Sequence, residues 1–451
     1  MTAYWLERAV IGGSVADAVR VTLAEGRFTA VETGVEAEGA TRLAGLTVPG
    51  LANCHSHAFH RALRGRTQRE RGTFWTWREQ MYDVAGRLDP DTYRELARAV
   101  YREMALGGIT TVGEFHYLHH GPDGTPYDDP NAMGRALLEA GAEAGVRVVL
   151  LDTCYLAAGF GREPEGVQRR FSDGTAEAWA VRVDDLHREV TSRATHRQEG
   201  WGTGLSAVGA AVHSVRAVPR DQVPVVARWA TAHQAPLHVH LSEQVAENDE
   251  CRAAHGMTPT ELLDAAGALG PQTSAVHATH LTHSDVALLG GSATAACFCP
   301  TTERDLGDGI GPSRALFEAG SPLTLGSDSH AVLDLFEEMR AVELDERLAT
   351  QERGHWTAAE LLAAGTADGH RSLGLPDAGR IAVGARADLV TLDLASPRTA
   401  GTGADEGTAV FAATAADVVH VVRDGVVVAT GDDRYDVGAE LDRVIRKVWE
   451  R

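Results

Sequence analysis

The chain has 451 residues, of which 44% are hydrophobic and 23% charged, a composition typical of a soluble globular protein with a large core and room for a smaller second domain. The net charge of −21 argues against a nucleic-acid partner, because binding to phosphates requires clustered Lys and Arg. The N-terminus lacks the pattern of a signal peptide, and no stretch approaches the roughly 18 uninterrupted apolar residues of a membrane span.

The five cysteines form an odd, sparse set without the spacing of a disulfide framework. Such a set is typical of a reducing compartment, so the sequence predicts a cytoplasmic protein that does not bind membranes. Cys297 and Cys299 form a C-x-C pair, but no second pair completes a zinc site, and we interpret both as strand residues.

Both ends of the chain are rich in short strands. The segment AVRVTLAEGRFTAVE predicts two strands joined by a Glu25-Gly26 turn, and VVHVVRDGVVVATG predicts a hairpin at Asp424-Gly425. We therefore expect residues 1–48 and 376–435 to meet in one small β-sandwich domain. Residues 436–451 have the pattern of a closing amphipathic helix.

The middle of the chain alternates apolar strands with helical patterns. The predicted strands are 47–54, 109–115, 147–154, 206–212, 236–241, 274–278, 294–299 and 323–328. Eight alternating units are what a (β/α)8 TIM barrel over residues 49–375 requires, although a doubly wound sheet can also use eight strands.

Polar residues stand at the ends of these strands. They are His55, His57, His213, His240, His277 and Asp328. In a barrel the carboxyl ends of all strands share one face, so these residues are expected to converge on one pocket. Imidazole nitrogens and a carboxylate oxygen are the ligands of a catalytic zinc site that keeps a position open for water.

Two carboxylates are suited to moving protons there. Glu243 follows His240 closely and can carry a proton to a leaving nitrogen, while Asp328 can bind a metal and accept a proton from water. His238 lies on the same strand face as His240 and is a competing ligand, which we place deeper in the barrel.

The remaining histidines carry no predicted role. We place His280 and His283 in a loop and at a helix start, and interpret His116, His119 and His120 as surface histidines.

Four motifs carry a family resemblance. P-G-L-x-N-x-H-x-H, H-L-S-E, A-V-H-A and G-S-D-S, in this order, resemble the mononuclear deaminase branch of the amidohydrolase superfamily over nearly the whole chain. The resemblance implies a metal bound by His55, His57, His240 and Asp328. It also implies catalytic roles for Glu243, which shuttles protons, for His277, which orients or polarises the hydrolytic group, and for Asp328.

The lysine content favours a single metal ion. Dinuclear relatives bridge two metals with a carboxylated lysine on a barrel strand, whereas this chain has one lysine, Lys447, close to its C-terminus. The expected cofactor is therefore one divalent metal per chain, with Zn2+ preferred and Fe2+ or Mn2+ also suited to the ligands.

Longer segments resemble the formimidoylglutamate deiminases: H-S-H-A-F-H-R-A-L-R-G, T-F-W-T-W-R-E-Q-M-Y and G-E-F-H-Y-L-H-H. The resemblance implies hydrolysis of N-formimidoyl-L-glutamate to N-formyl-L-glutamate and ammonia in histidine degradation. It assigns substrate binding to Arg78, Tyr117, His213 and Arg216. His60 is a further candidate, and it departs from the glutamine expected at this position in relatives.

The charge pattern supports a small anionic substrate. Residues 61–78 contain six arginines, at 61, 64, 66, 69, 71 and 78, in a region where loops overhang the active face of a barrel. A solvated charged loop is the alternative for most of them. Arg216 is well placed to bind a carboxylate in a forked geometry, and Trp75 and Trp77 are candidates either for the pocket wall or for the core.

Two other functions remain open. A ring deaminase of the same branch would act on guanine or an adenosine derivative. A non-enzymatic relative would have kept the barrel and lost the metal, serving as an assembly protein. A homodimer is the expected oligomeric state on general frequency alone.

Overall fold

A computed structural model describes residues 2–68, 71–196 and 206–451. The strands are β1 (Thr2–Ile11), β2 (Ser14–Ala24), β3 (Arg27–Glu32), β4 (Thr41–Pro49), β5 (Leu51–Ser56), β6 (Ile109–His116), β7 (Arg147–Cys154), β8 (Ser206–Val212), β9 (Leu237–Leu241), β10 (Thr273–His277), β11 (Ala295–Phe298), β12 (Leu323–Leu325), β13 (Leu389–Leu392), β14 (Val418–Arg423) and β15 (Val426–Thr430).

The helices are α1 (Phe74–Arg87), α2 (Pro90–Leu106), α3 (Ala132–Ala144), α4 (Ala176–His196), α5 (Val223–His233), α6 (Val245–His255), α7 (Pro259–Ala265), α8 (His283–Gly291), α9 (Pro300–Leu306), α10 (Ser313–Ala319), α11 (Leu335–Thr350), α12 (Ala358–Ala363), α13 (Gly369–Ser372), α14 (Glu406–Phe411) and α15 (Arg434–Trp449). Short 3-10 turns cover Ala58–Leu63, Gly166–Phe171, Ala415–Asp417 and Gly431–Asp433, and a π-helical turn covers Ala364–Asp368.

The barrel is formed by β5 to β12, which pair in chain order in one eight-stranded parallel sheet of the described residues. A parallel bridge between Ser56 and Asp328 joins the last strand to the first. Each of the eight strands predicted from the sequence corresponds to one of these strands. The predicted (β/α)8 barrel is therefore confirmed, and with it the shared face at the carboxyl ends of the strands.

A second, seven-stranded sheet is built from both ends of the chain, in the order β15-β14-β13-β4-β1-β2-β3. Strand β4 pairs in parallel with β1 and antiparallel with β13, where Pro49 faces Leu389. The two termini therefore meet in one sheet, as the sequence predicted. The predicted hairpin turns are also present, with positive φ angles at Glu25 (50°), Gly26 (75°), Asp424 (46°) and Gly425 (81°), which is the backbone that tight two-residue hairpins need.

The second sheet is fastened to the barrel at the end remote from the strand carboxyl termini. Gly50 alone separates β4 from β5, and a Cβ there would lie 2.4 Å from Thr110 Oγ1. Arg147, the first residue of β7, is fully buried and donates to Asp388 Oδ2 at 3.0 Å and to Asp424 Oδ1 at 2.9 Å. These contacts leave the opposite end of the barrel free for the site.

The C-terminal helix α15 packs on the barrel beside α2, where Arg98 and Arg102 both pair with Glu440. Trp449 Nε1 donates to Ala62 O at 3.0 Å, so the helix also contacts the loop that follows β5. Across the described residues, every helix falls short of the length or the apolarity that crossing a membrane requires.

Candidate metal centre and active site

Four predicted ligands meet at the carboxyl ends of the barrel strands. The ligand atoms of His55, His57, His240 and Asp328 all lie within 4.8 Å of one another, and all four residues are buried. Asp328 Oδ1 is 3.4 Å from His55 Nε2 and 3.3 Å from His57 Nε2. The Nε2 atoms of His240 and His55 are 3.1 Å apart. Separate strands thus deliver three imidazoles and one carboxylate to a single point.

Backbone carbonyls fix the orientation of two of these imidazoles. His57 Nδ1 lies 2.9 Å from Phe115 O, and His240 Nδ1 lies 2.9 Å from His213 O. A carbonyl oxygen only accepts, so each Nδ1 carries the proton and each Nε2 directs its lone pair into the cluster. Lone pairs that converge in this way repel one another unless a cation lies between them, so the donor set fits a metal ion.

The charges of the cluster also suit a metal. Burial lowers the pKa of the His55 imidazole to about 4 and holds the pKa of His240 well below its usual value. Burial opposes ionisation of Asp328, but the surrounding imidazoles, His55 and His57 first, outweigh it and hold the pKa of this carboxyl well below its usual range. At neutral pH the site therefore offers the neutral imidazoles of His55 and His240 and the carboxylate of Asp328, the forms that bind divalent metals.

His277 differs from the four ligands in both contacts and charge. At the end of β10, its Nε2 lies 3.9 Å from Glu243 Oε1 and 3.8 Å from Asp328 Oδ2. Burial opposes a charge on this imidazole, but Glu243, Glu303 and Asp328 outweigh it and raise the pKa of His277 well above its usual value. A protonated imidazole is a hydrogen-bond donor and not a metal ligand.

The backbone is strained at several of these strand ends. Ser242, His277 and Asp328 have φ angles of 51°, 69° and 40°. Left-handed backbone at residues other than glycine costs on the order of 1–3 kcal/mol each and persists only where the surrounding structure holds it. The strain coincides with residues that carry the reactive side chains or lie beside them.

A pocket opens above the four ligands. Among the residues that line it are the five predicted substrate-binding side chains and one of the two tryptophans considered from the sequence, namely His60, Trp77, Arg78, Tyr117, His213 and Arg216. Glu243, His277 and Asp328 line the same pocket. The side chains suited to proton transfer and those suited to binding therefore face one space.

Neighbouring groups orient the binding side chains. Arg216 Nε lies 3.4 Å from Glu247 Oε2, and its Nη2 lies 3.9 Å from Glu243 Oε2. Arg78 Nε donates to Tyr82 OH at 2.6 Å, and His60 Nε2 lies 3.1 Å from Tyr117 OH. Two guanidinium groups are thus held on different elements of the pocket wall, one on α1 and one after β8.

The other arginines of residues 61–78 have different surroundings. Arg61 and Arg64 both pair with Glu103 at 2.6 Å, and the Arg66 guanidinium lies 4.8 Å from the centre of a Trp449 ring. Arg71 is exposed, while Arg69 and the side chain of Trp75 lie outside the described residues. Of the described arginines in this segment, Arg78 lines the pocket.

The interpretation of three histidines as surface residues is wrong. His116, His119 and His120 are 1%, 1% and 3% exposed. The chain after β6 turns inward against α4, where Arg182 donates to Asp152 at 2.9 Å and His120 Nε2 lies 3.1 Å from Asp173 Oδ1. His119 and His120 therefore belong to a buried ion network, and the His116 ring packs against the His119 ring.

The other unassigned histidines lie where the sequence placed them. His280 is in a bend and His283 begins α8. His238 is buried on β9, outside the group of four ligands.

Sequence reasoning missed two buried carboxylates. Glu114 accepts from Ala58 N at 2.7 Å and from Ser56 Oγ at 2.8 Å, and so holds the segment that carries His55 and His57. Glu303 lies 3.4 Å from His277 Nδ1. For Glu114 a signal existed, because a glutamate inside an otherwise apolar strand must have a hydrogen-bonding reason to be there.

The fold and the site define the class of protein: a (β/α)8 barrel whose strand ends bring together a group of three histidines and an aspartate that could hold a metal ion. The pattern of the amidohydrolase family matches residues 46–428. The chain is 37% identical over 419 residues to formimidoylglutamate deiminase from Pseudomonas aeruginosa, covering 90% of this chain and 89% of that protein. It is 28% identical to 8-oxoguanine deaminase from the same organism, covering 79% and 76%.

Solved structures share the fold of this chain. An amidohydrolase from Brucella melitensis superposes with a TM-score of 0.90 at 29% identity, covering all of both chains. An adenosine deaminase from Xanthomonas campestris with bound zinc has a TM-score of 0.84 at 22% identity, covering 100% of this chain and 99% of the other, which supports the fold. The chain belongs to the amidohydrolase family, and it is a hydrolase that acts on non-peptide carbon–nitrogen bonds.

Proposed function

We propose that this enzyme hydrolyses N-formimidoyl-L-glutamate to N-formyl-L-glutamate and ammonia, a step of histidine degradation. The observation that carries the proposal is the pairing, in one pocket, of the four-ligand cluster with the guanidinium groups of Arg78 and Arg216. The similarity to formimidoylglutamate deiminase over 90% of the chain supports the same substrate.

His55, His57, His240 and Asp328 would hold one divalent metal. Three neutral nitrogen donors and one carboxylate suit Zn2+ best, and Fe2+ or Mn2+ are also compatible with them. When bound, such a cation supplies Lewis acidity that lowers the pKa of water toward neutrality.

The arginines account for substrate choice. N-formimidoyl-L-glutamate carries two carboxylates, and each can form charge-assisted hydrogen bonds with a guanidinium group. A neutral purine has no group that requires them. Arg78 and Arg216 would therefore fix the two ends of the glutamate part and hold the formimidoyl carbon over the cluster.

The acidic residues and His277 move protons and stabilise charge. Asp328 accepts a proton as water attacks the formimidoyl carbon, and Glu243 delivers a proton to the nitrogen that leaves as ammonia. His277 Nε2 donates a hydrogen bond to the oxygen of the tetrahedral species. Glu243 Oε1 and Asp328 Oδ2 lie 3.9 and 3.8 Å from His277 Nε2, so the three groups can act on one carbon.

The test is an ammonia-release assay on protein of measured metal content, with N-formimidoyl-L-glutamate, guanine and S-adenosylhomocysteine as substrates. We expect turnover of the first compound with one metal per chain. Because a charge-assisted hydrogen bond is worth about 1.5–3 kcal/mol, Arg78→Met and Arg216→Met should each raise KM about 10- to 100-fold. Arg71→Met, in the same arginine-rich segment but exposed, is the matched control. Faster turnover of either purine compound would assign the enzyme to the ring deaminases instead.

The proposed setting is the cytoplasm and the proposed assembly is a homodimer. All five cysteines are free and buried, which suits a compartment where thiols stay reduced. Light scattering on the metal-loaded protein would measure the oligomeric state directly.

A further inference from the structure

Glu303 is a buried carboxylate beside the reactive imidazole. It lies on α9, the helix that begins directly after β11, and is 5% exposed. Its Oε1 accepts from Cys299 N at 2.9 Å and lies 3.4 Å from His277 Nδ1. The backbone contact fixes the carboxylate, and the carboxylate in turn contacts the imidazole.

This contact determines which nitrogen of His277 faces the pocket. A carboxylate oxygen accepts hydrogen bonds, so His277 Nδ1 carries a proton and donates a hydrogen bond to Glu303. The ring is then oriented with Nε2 toward Glu243 and Asp328. Those two distances, 3.9 and 3.8 Å, are too long for hydrogen bonds, whereas the contact of Nδ1 with Glu303 is 3.4 Å.

The backbone makes such a contact necessary. His277 and the next residue, Ala278, have φ angles of 69° and 47°, so the chain leaves β10 through two left-handed residues. A side chain on strained backbone keeps its orientation only when other groups hold it. Within the described residues, the ion pairs of His277 are with Glu243, Glu303 and Asp328, and Glu303 is the one of these three that does not line the pocket.

We propose that Glu303 is a positioning residue for the deimination: it binds His277 Nδ1 and thereby directs Nε2 toward the reacting carbon. This inference rests on the proposed function of His277. Glu303 acts through the imidazole and does not touch the substrate. Partners of this kind commonly change activity by about 10- to 100-fold when they are removed.

The test compares two variants at this position. Glu303→Met removes the acceptor at similar length and should lower kcat for N-formimidoyl-L-glutamate about 10- to 100-fold, with KM and metal content near those of the wild type. Glu303→Gln keeps an oxygen that can accept from both Cys299 N and His277 Nδ1, so it should recover most of the lost rate.

Glu338→Met is the matched control for burial. Glu338 is also buried, lies on α11 and accepts from Thr301 N at 3.0 Å, so it binds the start of the same helix α9 without contacting His277. We expect this variant to change the melting temperature and to leave kcat near wild type. Equal loss of kcat in Glu338→Met and Glu303→Met would show a structural effect of helix α9 and overturn the proposal.

A second readout does not depend on turnover. In protein labelled with 15N-histidine, the proton on His277 Nδ1 should give a protected resonance downfield of the amides. The signal should be absent in His277→Gln and Glu303→Met, and present in Glu303→Gln and Glu338→Met. Its persistence in Glu303→Met would overturn the proposal. If the wild type failed to act on N-formimidoyl-L-glutamate, the proposed function would be wrong. The resonance would still show whether His277 Nδ1 donates a hydrogen bond to Glu303.

Discussion

The histidines of the pocket line one cavity, but the groups that contact each imidazole differ in charge. His57 and His240 place a backbone carbonyl at Nδ1 and remain free at Nε2 to bind a metal. His277 places a carboxylate at Nδ1 and faces two more carboxylates. The same residue type is thus a neutral candidate ligand at His240 and a cationic donor at His277, because Glu243, Glu303 and Asp328 surround the second imidazole.

Glu243 provides the first prediction at this scale. Since it lies outside the group of four ligands, Glu243→Gln should keep its metal and lose about 100- to 10,000-fold in kcat, the usual contribution of a proton-transfer group. Metal analysis and ammonia release on the same sample would measure both. Full turnover by the metal-loaded variant would refute the role of Glu243.

Glu114 provides the second prediction at the residue scale. Burial raises the pKa of this carboxyl to about 8, so near pH 7 it is mostly neutral. A glutamine is neutral as well: its side-chain oxygen can accept from Ala58 N, and its amide nitrogen can bind Ser56 Oγ in place of the second carboxyl oxygen. We expect Glu114→Gln to retain metal, and Glu114→Ala to weaken metal affinity about tenfold or more, because it frees the segment between His55 and His57. Titration of the apo-protein with Zn2+ would measure the difference, and equal affinities for the two variants would contradict it.

Among the elements, α1 forms part of the pocket wall. This helix carries Trp77 and Arg78, both in the pocket wall, and its last turn is held from outside. Arg170, fully buried, donates to Leu88 O at 2.7 Å, to Ala85 O, and to His120 O at 2.9 Å. A guanidinium group therefore satisfies carbonyls that the helix end leaves without intrahelical partners.

Removing the contact of Arg170 with the end of α1 should weaken substrate binding more than it slows the catalytic step. Arg170→Met leaves buried carbonyls without donors, each at about 1–3 kcal/mol, so we expect a lower melting temperature. As α1 loosens, KM should rise more than kcat falls. The neighbouring Arg169 is exposed, and Arg169→Met serves as the control. A normal KM in Arg170→Met would mean that α1 is held in place without this residue.

The elements also show where sequence reasoning succeeds and fails. The eight barrel strands were predictable because each is a short apolar run between helical patterns, and periodicity is a local property. The burial of His119 and His120 was not, because it depends on Arg182 of α4, more than sixty residues away, and on the ion pairs it forms. The sequence around His119 and His120 does not indicate that Arg182 will pack beside them.

At the scale of the whole molecule, one ion network joins the barrel to the second sheet. Arg147 begins a barrel strand, Asp388 immediately precedes β13, and Asp424 lies in the hairpin turn between β14 and β15. All three meet on the face of the barrel opposite the pocket. The sheet built from the termini is therefore fastened where it does not interfere with the site.

This network predicts an acid dependence of stability. Burial opposes ionisation of Asp388, but the charge of Arg147 outweighs it and lowers the pKa of the carboxyl to about 2, from an ordinary value of 3.8. A depressed folded-state pKa stabilises the protein above pH 4, and this contribution is lost as pH falls from about 4 to about 2. Asp388→Asn, which leaves Arg147 buried with less compensation, should lower the free energy of unfolding by about 3 kcal/mol near neutrality.

Melting temperatures of the wild type and of Asp388→Asn between pH 5 and pH 2 would check this prediction. The melting temperatures of the two proteins should converge near pH 2, because protonation of Asp388 there removes from the wild type the ion pair that the variant lacks at every pH. Asp123→Asn, at an exposed position, is the control. Parallel curves over the whole range would contradict the assignment of the acid dependence to Asp388.

The amino-acid sequence by itself determined the alternation of strands and helices, the hairpins at both ends, and the positions of His55, His57, His240 and Asp328 at strand ends. These follow from short-range periodicity and from the rule that parallel strands in a barrel share one carboxyl face. Only the tertiary structure decided which arginine of residues 61–78 lines the pocket, and that Glu114 and Glu303 contact the residues of the site. Such contacts join residues far apart in the chain, and their geometry depends on how the whole barrel packs.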